Sequence, residues 1–157
     1  MKNSGFSLVE LLIVVAVILV IAAIAIPNFM RAKMSANESS AADALRTINT
    51  AEVGYDAAFP TVGYAPLAAL GGTSPCTPSS TTGCFLDSFL ATNGNGSGKD
   101  GYSFSITSPT VAGYSSNADA LVMNQTGTKS FCSDQTGVIY FLSGANGCTT
   151  STGQPAQ

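Results

Sequence analysis

"SGFSLVELLIVVAVILVIAAIAIP", Ser4 to Pro27, contains one charged residue, Glu10, set among Leu8, Val9, Leu11 and Leu12. A carboxylate inside hydrocarbon costs on the order of 2.5–3.5 kcal/mol on insertion scales, so a run this apolar that keeps one asks for a compensating partner. From Leu11 to Met30 the only polar side chain is Asn28, and about 20 such residues reach across a bilayer. Pro27 has no N–H to give the carbonyl of Ala23, which predicts a kink there.

The helical pattern outlasts the apolar run. Ala41, Leu45, Ile48, Ala51, Tyr55 and Phe59 recur at steps of three and four, while Asp43, Arg46, Thr47, Thr50 and Gly54 fall elsewhere on the wheel. A stripe this narrow fits under one small sheet. Pro60 disfavours helix at Phe59, so the helix is expected to end near Ala57 or Ala58. Counted from Phe6, it is about 53 residues long, or roughly 80 Å.

The rest of the chain is a different material. Of 157 residues only 10% are charged, the net charge is −3, and the second half is rich in Ser, Thr, Gly and Asn. There is no basic patch to meet a phosphate backbone, so no nucleic-acid contact is readable. Histidine and tryptophan are absent, which removes the commonest general base and metal ligand. No catalytic residue, cofactor or metal site is expected, and the reading is of a protein that is not an enzyme.

Cys76, Cys84, Cys132 and Cys148 are spaced unlike a zinc knuckle. Their even number and close pairing behind an apolar segment predict disulfides in an oxidising compartment. Cys76–Cys84 and Cys132–Cys148 are the expected pairs, since each joins sequence neighbours and closes a loop poor in core residues.

Between Thr61 and Lys99 the sequence offers only short helical pieces. Pro66 can open "PLAAL" and Gly71 close it, and "CFLDSFLA" (Cys84 to Ala91) adds an apolar turn or two. "NGNGSGKDG" (Asn93 to Gly101) is a turn-rich loop without the strand-to-helix setting of a phosphate loop. The last third predicts strands at "YSFSIT" (Tyr102 to Thr107), "DALVMNQ", "KSFCS" and "VIYFL" (Val138 to Leu142), with turns at "TGT" and "SDQTG". The tail from Ser143 is expected to be pinned only at Cys148. The fold class is α+β: a long N-terminal helix against a small antiparallel sheet. Its expected parts are a leader (1–5), a membrane-spanning assembly helix (6–30), its amphipathic continuation (31–58), a connector (59–100), and a sheet with a C-terminal disulfide loop (101–157).

Three features converge at the N-terminus: a short leader with Lys2, ending at Gly5; Phe6 opening the apolar run; and Glu10 at the fifth position from Phe6. A cut between Gly5 and Phe6 would place a new amine one turn from Glu10. Its own amine lies on the wrong rise for good contact, whereas the amine of a neighbouring, axially shifted subunit can pair with this carboxylate and fix the register.

"GFSLVELLIVVAVILVIAAIAIPNF" resembles the N-terminus of type IV prepilins and of type II secretion pseudopilins, in the glycine before the cut, the phenylalanine after it, Glu10, the apolar run and Pro27. The resemblance covers about the first 55 residues. It implies cleavage at Gly5–Phe6 by a membrane prepilin peptidase and methylation of the Phe6 amine. The cytoplasm then faces the N-terminus, a point the opposing charges of Lys2, Arg31 and Lys33 leave open. It further implies an inner-membrane precursor, an assembly platform there, and a homopolymer of identical or related subunits forming an extracellular filament on the cell surface.

Other readings stand beside it. Lys2, the apolar run and "AIA" at Ala23 to Ala25 also fit a secretory signal, against which weigh the length of the run, Glu10, and helix beyond Pro27. A single-span anchor for a surface binding module is another. Within the family the alternative is a pseudopilin; the calcium loop and "WGxPY"-like stretch of major pseudopilins find no tryptophan here. Asp134, with Asp119 or Asp100, has oxygens for calcium, but in "SDQTG" it reads more simply as a turn residue. Asn37, Asn95 and Asn124 head N-x-[ST] triplets of a kind this composition makes common. Tyr55, Phe59, Tyr64, Phe85 and Phe89 read as packing residues.

Overall fold

The structure, a computed structural model, describes residues 6–156. Its elements are α1 (Leu8–Ala58), α2 (Leu67–Leu70), α3 (Ser88–Ala91), β1 (Tyr102–Thr107), β2 (Ser115–Ala120), β3 (Lys129–Asp134), β4 (Tyr140–Ser143) and β5 (Gln154–Pro155). The chain divides after Lys33 into two compact units. The first contains the apolar part of α1, and the second, the head, begins at Met34.

In the head, α1 lies along an antiparallel meander in the order β1-β2-β3-β4-β5. Ala41, Ala44, Leu45, Ile48, Ala51 and Tyr55 form its buried stripe. Facing them are rows of cross-strand partners, among them Phe104 opposite Ala118, and Ala118 opposite Phe131. Small buried residues on β2, Ser116, Ala118 and Ala120, let the helix approach closely. Past Ala58 the chain turns: the Phe59 N–H still donates to Tyr55 O at 2.8 Å, and the Gly63 N–H reaches Phe59 O at 3.1 Å. Gly63 has φ +81° and lies so close to the backbone of Thr110 and Val111 that a Cβ would overlap it.

Two expected strands are misplaced and one was unforeseen. "DALVMNQ" reads as β-forming because Leu121, Val122 and Met123 are apolar, but β2 is Ser115–Ala120. Leu121 and Val122 are about half exposed at a turn, in which Thr126 N–H donates to Val122 O. Packing under the helix selected small residues over β-propensity. "VIYFL" begins its ladder only at Tyr140, because Ser133 Oγ takes the carbonyl of Val138 (2.9 Å) and the Ala156 N–H takes that of Ile139 (2.8 Å).

The tail is held at more than Cys148. β5 pairs with β4, Tyr140 opposite Pro155. The segment between folds over the outer face of the sheet: Asn117 Nδ2 donates to Cys148 O, Gly147 N–H to Asp119 Oδ1, and Ser130 Oγ to Ala145 O. Asn146 brackets the backbone of Ala120 from both sides, accepting at 3.1 Å and donating at 2.9 Å.

Candidate functional site: the N-terminal helix and the clamps of the head

Gly5, one side of the expected cleavage point, lies outside the described residues; Phe6, the other, is 88% exposed and precedes the helix. Ser7 directly precedes the first helical residue. Its backbone N–H donates to Glu10 Oε2 at 2.9 Å. This is one arm of a capping box, in which the residue three places into the helix reaches back to satisfy an orphan amide. The carboxylate also sits where the helix dipole favours negative charge. The signal, S-x-x-E ahead of an apolar run, is present in "SLVE" and supplies a reason for Glu10 within a single chain.

From Leu8 to Lys33 no side chain is buried. An 18-residue window has mean hydropathy 3.3 and none of it is buried. By length and composition this segment can cross a membrane, and large apolar side chains such as Leu11, Ile18 and Ile24 are all more than half exposed. Water is a poor neighbour for so much contiguous apolar surface, which marks it as a surface for lipid or apolar partners. α1 continues through Pro27 as helix. Next to it, Asn28 Nδ2 donates to Ile24 O at 3.1 Å, so the one amide in the run is satisfied along its own helix.

In the head, polar side chains of α1 clamp the loops above it. Glu38 Oε1 accepts from both the N–H and the hydroxyl of Thr128 (2.8 and 2.7 Å), and its Oε2 lies 3.5 Å from Lys129 Nζ. Asn37 Nδ2 donates to Thr126 O. Ser40 Oγ donates to Asp100 Oδ2, where Lys99 Nζ also sits at 2.7 Å, and the Lys99 and Ser40 bonds hold the Asp100 carboxyl below its usual range. Deeper, Asn49 Nδ2 donates to Ser133 Oγ (2.8 Å) while its Oδ1 accepts from Tyr114 OH (2.9 Å). Tyr102 OH donates to Lys129 O at 2.7 Å, and Gly127 leaves room for that ring.

Cys76 is bonded to Cys84, and Cys132 to Cys148. The first bridge closes a loop that returns against the end of α2, with Phe85 N–H on Leu70 O and Tyr55 OH on Ser80 O. The second fastens the C-terminal segment to β3.

The three aspartates weighed for calcium are apart in their roles: Asp134 Oδ1 closes a turn by accepting from Thr136, Asp119 holds Gly147, and Asp100 holds Ser40 and Lys99. Among the described residues no three His, Cys, Asp or Glu side chains gather as a metal site. The aromatic residues pack locally, Tyr55 on Phe59 (4.9 Å between centroids) and on Phe85 (6.4 Å), and Tyr64 on Tyr114 (4.7 Å). Spacing alone pointed to neither Asn49 nor Glu52, both polar and both inside the buried stripe.

Residues 1–26 match the family described as the prokaryotic N-terminal methylation motif. The chain is also similar to a type IV major pilin protein, PilA, of Myxococcus xanthus (strain DK1622), 44% identical over 54 residues. That alignment covers 34% of this chain, which spans about a quarter (24%) of the length of the relative. No solved structure matches the chain. The likeness lies in the N-terminal segment, which carries the methylation motif and resembles the start of a type IV major pilin.

Proposed function

We propose that this protein is the structural subunit of an extracellular type IV pilus, cut between Gly5 and Phe6, methylated at Phe6 and polymerised through its N-terminal helix. The observation that carries the reading is the methylation motif at residues 1–26, with Glu10 the one charge in the exposed apolar run up to Pro27. The subunit waits in the inner membrane, and a prepilin peptidase and an assembly platform act on it there. During assembly the same apolar surface passes from lipid to neighbouring subunits. Glu10 pairs with the Phe6 amine of one of them; its Oε2 is engaged by Ser7, and a carboxylate has acceptor capacity left on Oε1 for that amine. The resemblance to a major pilin and the disulfide-stapled head support a pilus over a secretion pseudopilus.

Intact-mass measurement on subunits recovered from sheared surface filaments tests this. The expected subunit begins at methylated Phe6. A mature start at Ile26 would establish a cleaved secretory signal, and a subunit confined to the cell envelope without surface filaments would establish the secretion reading.

A further inference from the structure

Glu52, on the buried stripe of α1, has no exposed surface. Its Oε2 accepts from the Ala65 N–H at 2.9 Å, while Oε1 is buried without a hydrogen-bond partner. The bond ties the helix to the segment that follows Pro60, and that segment continues the circuit. Tyr64 N–H donates to Thr110 O (3.2 Å), the Tyr64 ring packs on Tyr114, and Tyr114 OH returns to Asn49 of the helix.

Among the described residues, no cation influences this carboxyl. The titratable groups near enough to influence it are Asp56 and Tyr55 of its own helix and Tyr114, which in turn lies near Tyr64 and Asp134. Burial pushes the Glu52 carboxyl up to about 7, the Ala65 bond pulls against this, and the Asp56 charge adds to the rise. A neutral carboxyl fits the site, since an ionised one leaves a buried charge with a single amide to meet it.

We propose that Glu52 is a proton-dependent latch: neutral, it holds the 59–65 segment against α1, and ionised, it draws in water and releases that segment together with the 108–114 turn. The folded carboxyl binds its proton more tightly than the unfolded one. The stabilisation is therefore complete below the ordinary glutamate range, near 4.5, and is lost as pH rises through about 7. The latch belongs to the head alone and does not depend on whether the subunit ends in a pilus.

The test is amide hydrogen exchange on the full-length protein in detergent micelles, read as protection factors at pH 5 and pH 8. Protection of the Tyr64 and Ala65 amides is expected to fall about tenfold, the loss of neutral carboxyl one unit above its midpoint. The amides of Asn117 and Cys132, on the central strands, are expected to hold. Glu52→Gln, neutral at every pH, is expected to flatten the response. A uniform fall across the head, no fall, or the same fall in Glu52→Gln would overturn the proposal. Should Glu52→Gln not fold, the carboxyl carbon of Glu52 is titrated by NMR in the wild type. A midpoint matching that of exchange supports the latch, and one displaced by about a unit or more overturns it.

Discussion

The backbone N–H of Ser7 donates to the carboxylate of Glu10, 2.9 Å away. A charge that looks unaccountable in an apolar run thus has a task before any neighbour arrives: it satisfies an amide that lipid would leave bare. Capping and pairing make separable demands. A cap needs only an acceptor oxygen, whereas pairing with an amine needs the charge.

Glu10→Gln is therefore expected to keep the helix start and lose the charge, and Glu10→Val to lose both. Both variants should insert into the membrane, Glu10→Val more readily. Sheared filament mass should be intermediate for Glu10→Gln and lowest for Glu10→Val, because apolar side chains alone pack nearly as well at many axial offsets. Normal filament mass from Glu10→Val would show that the glutamate does not set the register.

How far sequence reaches here depends on which force decides each element. The α1 terminus at Ala58 was legible because Pro60 acts locally, and β1 because Tyr102, Phe104 and Ile106 alternate cleanly. β2 was not, because its residues were chosen for fit beneath a helix 67 positions earlier, as the Ser116–Asn49 bond shows. Nor was β5: Gln154 and Pro155 have little strand propensity, and β4 supplies the ladder. For the site, Glu10 and Pro27 stand out against their neighbours as residue types. Asn49 and Glu52 do not, since polar residues on a helix are expected outside.

Asn49 joins helix to sheet through three side chains, Tyr114, Ser116 and Ser133, all buried. Asn49→Ala strands those groups without water, at a cost of about 1–3 kcal/mol. Thermal unfolding of the head should shift down accordingly, while Thr50→Ala, one position on and exposed, should change stability by less than about 0.5 kcal/mol. Equal shifts from the two would mean that the network adds nothing to the fold.

The Cys132–Cys148 bridge fastens the C-terminal segment over the outer face of the sheet. Replacing both cysteines with serine removes up to about 3 kcal/mol by loop-closure arithmetic for this separation of 16 residues. The loss should appear first as faster exchange of the Gly147 amide, held by Asp119, ahead of the β2 and β3 amides. Simultaneous loss across the sheet would show that the bridge supports the whole meander rather than the flap.

Pro27 lies inside α1 and withholds one N–H from the ladder, so the carbonyl of Ala23 lacks its usual donor. In lipid an unmet carbonyl is costly, and the helix can relieve it by bending or opening locally. Pro27→Ala restores the donor and removes the ring clash, a change of about 3 kcal/mol in favour of straight helix. The filament should stiffen, which the persistence length measured on electron micrographs reads directly. The head has its own core, built on Ala41 to Tyr55 and the sheet, and its thermal midpoint should not move. A collapse of that midpoint in Pro27→Ala would assign the proline to folding of the subunit, and an unchanged persistence length would remove it from filament mechanics.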